Sequence, residues 1–328
     1  MPQDRISSER INLLADVAEM YYLKGEDQSQ IAKRLNVSRS MVSRMLTDAR
    51  KLGIIKIQIE RPINRNTELE RILRQKFKLH DVLVVEHGNG QPLLPLLGKT
   101  AAHYIEANLK PNETLGTSWG ASISATVDEL ELENHIPGIR VVQMLGSLGA
   151  RIKQYHGIAI VNRLVEKLGG EGVYLNAPFL VENADLAKVL MESKDIVETM
   201  QLADQADLAL LGIGSAEPQD SAYFLAGYLD EQKLQNIHDS GAVGDICGLF
   251  FDINGDAVHS ELQNRMIGIS METLMKIPLR IGVSGGPQKV KPIVGALRGK
   301  RVNVLVTDAY TAQGVINYTK ENDVNQKI

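Results

Sequence analysis

A chain of 328 residues and 36.1 kDa, 44 % hydrophobic and 23 % charged, has room for a small domain beside a large one and the make-up of a soluble globular protein. A formal charge of −4 and a pI near 6.0 exclude a chain that is basic throughout, a single cysteine excludes an internal disulfide framework, and seven scattered His offer no zinc spacing. No apolar run is long enough to span a membrane and M-P-Q-D-R-I-S-S-E-R has no signal-peptide core, so the expectation is a cytoplasmic protein with no membrane contact, metal or cofactor.

The first informative segment is Q-S-Q-I-A-K-R-L-N-V-S-R-S-M-V-S-R-M-L-T, residues 28 to 47, whose spacing predicts two short helices joined by a tight turn. Ala32 permits close approach of the helices, Asn36 tolerates a positive φ at the turn, Val37 seals the angle and Ser38 caps the second helix. On that helix Met41, Val42, Met45, Leu46 and Ala49 recur at helical spacing as the buried stripe. Arg39, Ser40, Ser43, Arg44, Thr47 and Arg50 are left outside, a basic and hydrogen-bonding face suited to reading DNA.

An amphipathic helix with Ile11, Leu14, Val17, Ala18, Tyr21 and Tyr22 precedes this pair and supplies a third wall. Gly53 ends the second helix, after which Ile54, Ile55, Ile57 and Ile59 alternate with Lys56, Gln58 and Glu60 as a wing strand would, with Lys56 placed to touch phosphate. The positive charge is local: from Gln28 to Arg61, Lys33, Arg34, Arg39, Arg44, Arg50, Lys51, Lys56 and Arg61 face only Asp48 and Glu60. A winged helix-turn-helix over residues 1–60 is therefore expected, with double-stranded operator DNA as partner and the paired half-sites of a homo-oligomer as the usual remedy for few base contacts.

Pro62 and polar neighbours in R-P-I-N-R-N break the strand, and T-E-L-E-R-I-L-R-Q-K-F forms a helix with Leu69, Ile72, Leu73 and Phe77 on one side. It makes 61–80 a linker that packs on its own large domain or pairs with another subunit. From 81 to 328 short apolar runs (81–86, 114–118, 140–145, 172–176, 207–213, 248–252, 278–283 and 301–307) alternate with amphipathic helices such as 157–168 and 290–297. That rhythm predicts a doubly wound, mostly parallel α/β sheet covered on both faces, with ligands beyond the carboxyl ends of its strands.

Those strand ends are rich in Gly, Ser and Asp: T-S-W-G-A-S (117–122), G-S-L-G (146–149), G-I-G-S (212–215), G-D-I-C-G (244–248), V-S-G-G-P-Q-K (283–289) and T-D (307–308). Gly and Ser at strand-to-helix turns let amides and hydroxyls approach an anion, with the helix N-terminus adding a favourable field. A phosphate-bearing ligand is the expectation, held among other groups by Gly214 of the third of these loops.

The chain resembles the SorC-type sugar-binding transcriptional regulators over nearly its whole length. The likeness rests on the N-terminal segment ending G-I-I-K-I-Q-I, on G-T-S-W-G-A-S-I, V-V-Q-M-L-G and A-L-L-G-I-G, and above all on A-V-G-D-I-C-G-L-F-F-D and G-V-S-G-G-P-Q-K…I-V-G-A-L-R-G…V-N-V-L-V-T-D-A-Y-T-A. The resemblance implies an effector domain of the sugar-phosphate isomerase and glucosamine-phosphate deaminase type, a phosphorylated sugar as effector, and homodimers or homotetramers on DNA. It puts Gly116, Thr117, Ser118, Gly120 and Ser122 around the ligand together with Gly146, Ser147 and Gly149, and makes Asp245 a contact for hydroxyls and Lys289 one for phosphate. No lysine occupies 143–147, so binding is expected to be noncovalent.

The alternative is a sugar-phosphate isomerase or deaminase fused to a DNA-binding domain. That chemistry needs a general base near the sugar carbon, a role open to Asp245, Asp252 or Asp308, but no His lies in the Gly-rich loops and Cys247 stands between Ile246 and Gly248 as a small buried residue would. A dinucleotide sensor lacks its fingerprint, since Gly212-Ile213-Gly214 is followed by Ser215, Ala216 and Glu217. A regulator without catalytic residues is the expected function.

Overall fold

The computed structural model describes residues 8–55, 62–88, 90–132, 134–147, 157–225, 227 and 229–325. Two compact units emerge, Met1–Pro62 and Ile63–Ile328.

The first unit holds three helices, α1 (Ser8–Tyr22), α2 (Gln28–Leu35) and α3 (Arg39–Lys51). Asp27 starts α2 with a capping box: its carboxylate accepts from Ser29 N at 2.7 Å and Gln30 N at 2.9 Å, while the Gln30 side chain accepts from Asp27 N at 2.8 Å. Asn36 ends α2 in the left-handed region, with φ 53 and ψ 45, and sends the chain back so that Val37 N donates to Ala32 O at 3.0 Å. Ser38 Oγ then accepts from Met41 N at 3.2 Å to start α3. Val17, Ile31, Ala32, Val42 and Leu46 form the small core.

Three expected core residues lie elsewhere. Met41 is 49 % exposed, because Val42, Leu46 and Ala49 already fill the stripe and Met41 is rotated about 100° from Val42 around the helix. Ile11 sits at the outer end of α1 and is exposed. Tyr22 turns outward, where its hydroxyl accepts from Arg50 Nε at 3.2 Å and its ring lies under the guanidinium. Gly53 has φ +72, and Ile55 packs on the core. The expected wing positions Lys56, Ile57 and Ile59 lie outside the described residues.

The second unit begins before α4 (Thr67–Phe77), which Asn66 caps by accepting from Leu69 N at 3.0 Å. Leu69 and Leu73 bury α4 in the large core, and Glu70, itself buried, pairs with Arg65 while accepting from Val84 N at 2.9 Å. Seven strands form one sheet: β1 (Asp81–Val85), β2 (Thr114–Thr117), β3 (Arg140–Gln143), β4 (Glu171–Val173), β5 (Leu208–Gly212), β9 (Leu279–Val283) and β10 (Val304–Asp308). Their order is β1-β10-β9-β5-β2-β3-β4 and every pairing is parallel. β3 and β4 extend the sheet on one side of β2 and β5 lies on the other, so the chain reverses its order at β2 and a crevice opens at the carboxyl ends there.

A second sheet departs from expectation. β6 (Gly214–Ser215), β7 (Gly244–Ile246) and β8 (Leu249–Phe251) pair antiparallel, so the apolar run at 248–252 belongs to a hairpin and not to the parallel sheet. The hairpin turns on Cys247 and Gly248, with φ 53 and φ 75, and a two-residue turn with both φ positive reverses the chain too tightly for any parallel crossover. Helices α5 (Leu93–Asn108), α6 (Ala121–Asp128) and α7 (Gly157–Leu168) follow β1, β2 and β3. α5 and α6 cross at Gly98, where an added Cβ would come within 2.5 Å of Ala125 O.

Candidate functional site

A cavity of about 400 Å³ occupies the carboxyl ends of β2, β5 and β9. Its first wall is Ser118 to Ile123, the turn from β2 into α6. Gly120 bends the chain with φ 138, no side chain caps α6, and the amides of the first helical turn stand at the cavity. Trp119 is held by its indole N–H, which donates to Gly146 O at 3.0 Å.

The second wall comes from the small sheet. β6 brings Gly214 opposite Asp245 of β7, and the Asp245 carboxylate lies so close over Gly214 that a Cβ there would meet Oδ1 at 1.9 Å. Its other oxygen accepts from the Tyr223 hydroxyl and from Gly248 N, the latter at 3.0 Å. Burial raises the Asp245 pKa, the bonds from Tyr223 and Gly248 opposing it, and pushes the Tyr223 hydroxyl well up, with the Asp245 charge adding to the effect. Tyr223 stacks on Phe179 at 5.3 Å and meets Trp119 edge-on at 5.8 Å, an aromatic cluster that fixes the hydroxyl on Asp245. Burial also raises the Cys247 thiol, with the neighbouring Asp245 charge adding to it, so this cavity-lining sulfur is held as a neutral thiol.

The third wall is Ser284 to Lys289. Lys289 Nζ donates to Ile213 O at 3.1 Å; burial lowers its pKa, and the charges of Asp245 and Asp220 oppose that. The Gly285-Gly286 turn is held from below by Asp308, which is 1 % exposed and whose carboxylate accepts from Gly286 N at 2.9 Å, Thr311 N at 3.0 Å and Thr311 Oγ1 at 2.5 Å. Gly286 N also donates to Thr311 Oγ1 at 2.8 Å, so this amide is occupied within the protein.

Of the residues singled out from sequence, Ser118, Gly120, Ser122, Gly214, Asp245 and Lys289 meet at the cavity. Four do not line it. Gly116 is inside β2, pressed on Met144 Sδ, and Thr117 is buried with its hydroxyl on Ser118 O at 3.0 Å. Gly146 is packed under Pro178 and supports Trp119 through its carbonyl, and Ser147 Oγ accepts from Gln143 Nε2 at 3.0 Å. Gly149 lies outside the described residues. Asp252 accepts Asn254 N at 2.9 Å and Asp256 N at 2.8 Å, a turn role away from the cavity. Tyr223 and the apolar wall of Leu93, Leu94 and Leu97 were missed; Tyr223 stands in no glycine-rich loop, and only the fold brings it to Asp245.

In the first unit Arg39, Ser40, Ser43, Arg44 and Thr47 are all exposed on α3. Arg39 and Arg44 have no ion pair or hydrogen bond among the described residues. Thr47 Oγ1 donates to Ser43 O at 3.0 Å and Ser40 Oγ lies 2.9 Å from Ser38 Oγ. Lys51 shares the outermost line with Ser40, Arg44 and Thr47, spaced by four, three and four residues, a periodicity legible in sequence but overlooked at the helix end. Lys56 lies outside the described residues.

Residues 61–317 match a family model described as "Putative sugar-binding domain". The sorbitol operon regulator of Klebsiella pneumoniae is 30 % identical over 310 residues, covering 94 % of this chain and 98 % of that protein. The deoxyribonucleoside regulator of Bacillus subtilis (strain 168) is 30 % identical over 311 residues, with 94 % and 98 % covered. The transcriptional regulator LsrR of Escherichia coli (strain K12) is 33 % identical over 308 residues, with 92 % and 94 % covered. The crystal structure of the full-length sorbitol operon regulator SorC from Klebsiella pneumoniae superposes with a TM-score of 0.71 over 93 % of this chain and 99 % of that one.

Proposed function

This chain belongs to the SorC/DeoR family of sugar-binding transcriptional regulators, and on that premise we propose that it binds operator DNA through α3 under the control of a phosphorylated sugar held in the strand-end cavity. The observation that carries the reading is the polar end of that cavity: an uncapped α6 N-terminus, the Ser122 hydroxyl and the Lys289 ammonium together suit a phosphate, and Asp245 Oδ1 suits a sugar hydroxyl. We infer the anion at α6 rather than at Gly285-Gly286, a reading supported by the Gly286 amide already serving Asp308 and Thr311. Arg39, Ser40, Ser43, Arg44, Thr47 and Lys51 face the major groove, and Lys56, outside the described residues, is proposed from the sequence to touch phosphate. The DNA-reading unit runs to Pro62 and the effector unit starts at Ile63, carrying α4 with it.

The protein acts in the cytoplasm as a homodimer or homotetramer on paired half-sites. We infer a regulator and not an enzyme: Asp308 and Asp252 serve backbone amides, and no His lines the cavity among the described residues to pair with Asp245 or Asp220 in a proton shuttle. Titrating the operator complex of the full chain with paired free and phosphorylated sugars tests the reading. The phosphorylated form changes operator affinity, the free sugar at comparable concentration does not, and Lys289→Ala abolishes most of the response with DNA binding intact. Equal responses to both forms, or an unchanged Lys289→Ala response, overturn the anion site.

A further inference from the structure

Met41 is the one residue of the expected α3 stripe that the core leaves out in the open. It stands on the first turn of α3, 49 % exposed, while Val42, Leu46 and Ala49 complete the packing without it. Met41 shares an open cleft of about 610 Å³ between α1 and α3 with Ser40 and Arg44, and Leu13 and Met45 extend the apolar surface behind it. The first turn of a recognition helix is the part that reaches base edges in the major groove.

The charges around the cleft decide what enters it. Glu9 lines the α1 side, and Asp48 is bridged to Arg10 at 3.3 Å. Arg10 and Arg44 balance these two carboxylates, so the cleft has no net charge with which to hold a phosphate, while Ser40 and Arg44 on α3 offer donors beside Met41. The occupant that suits such a cleft is a base edge with one polar and one apolar part. Thymine presents in the major groove an O4 acceptor beside a 5-methyl group, and the methyl is read by apolar contact.

We propose that Met41 is a specificity-determining residue that packs on the 5-methyl group of a thymine, next to the base contacted by Arg44. The inference rests on the DNA-binding reading of α3. Its physical basis is the removal of the methyl and the thioether chain from water together, with the unbranched Met side chain adapting to the methyl.

The test starts by selecting operator sequences for the full-length protein from a random duplex pool. Thymines of the selected half-site are then replaced one at a time by uracil, which lacks only the methyl. With the wild type, one position per half-site weakens binding about fourfold, the effect of one buried methyl-sized group. With Met41→Ala the thymine and uracil operators bind alike at that position, and Met41→Leu restores the preference. Failure to enrich any sequence overturns the DNA-binding reading itself. Enrichment without a uracil-sensitive position, or a sensitivity that survives in Met41→Ala, overturns the Met41 assignment alone. So does a Met41→Ala loss that is equal on both operators, which places Met41 against another protein copy.

Discussion

The two polar regions of this protein are built in opposite ways. On α3 the groups that face outward are carried by one helix; Arg39 and Arg44 are exposed and bound to nothing among the described residues. At the cavity Asp245 and Lys289, with Asp308 beneath its wall, come from three separate elements and each is bonded to a neighbour across the chain. A face of the first kind can be altered without disturbing the fold, because its residues contribute little packing. A site of the second kind is part of the fold, and changing it changes stability and binding together.

The largest effect expected tests whether the two regions stand on separate cores. Ile31 is fully buried among Val17, Val42 and Leu46 in a core of a few residues. Ile31→Ala should cost about 2–5 kcal/mol, enough to unfold a three-helix unit of this size. Operator binding is lost, while sugar-phosphate binding by the effector unit, followed by calorimetry on the full chain, stays within twofold. Loss of both would show that the two units fold as one.

Next in size is Asp308. Asp308→Ala leaves Gly286 N without its carboxylate and removes both bonds from Thr311, all in buried surroundings. The expected destabilisation is about 3 kcal/mol, the scale of hydrogen bonds to a buried charged group. Urea unfolding should show it as a lower midpoint of the effector transition, accompanied by weaker effector binding as the Gly285-Gly286 turn shifts. A stability unchanged by the substitution would mean that this turn keeps its shape without the carboxylate.

The contrast also explains what was legible in the sequence. The caps and turn of the first unit, Asp27 aside, could be read from Asn36, Ser38 and Gly53, since each acts within a few residues of itself. Met41 could not be placed, because helical spacing defines a stripe and not how many of its residues the neighbouring helices cover. In the large unit every strand of the parallel sheet had its apolar run. The run at 248–252 misled, since an apolar segment of five residues reads alike in a buried parallel strand and in a hairpin packed on the core. The glycine-rich loops lie at the carboxyl edge of the sheet where the cavity opens, but the partners bonded around it lie far apart in sequence: Tyr223 with Asp245, Ile213 with Lys289, Asp308 with Gly286.

The smallest effect separates the two buried carboxylates most sharply. Burial raises the Asp245 pKa above the ordinary value of 3.8. A carboxyl whose folded pKa is raised contributes stability that is fully present below the unfolded value and is lost as pH rises through the folded one, so ionised Asp245 destabilises the empty protein near pH 7. In Asp245→Asn the amide oxygen can keep the bonds from Tyr223 and Gly248 without the charge. The variant should therefore be more stable than the wild type at pH 7, and the advantage should fade as the pH is lowered towards the ordinary carboxylate range. Affinity for the sugar phosphate should fall about tenfold, the equivalent of about 1.4 kcal/mol, since the carboxylate accepts a hydroxyl more strongly than an amide does. Thermal unfolding of both proteins across that pH range, with and without ligand, measures both quantities. If Asp245→Asn is less stable at pH 7, Asp245 is a structural carboxylate like Asp308, and the hydroxyl contact has to be sought at Asp220, the other acidic residue of the cavity wall.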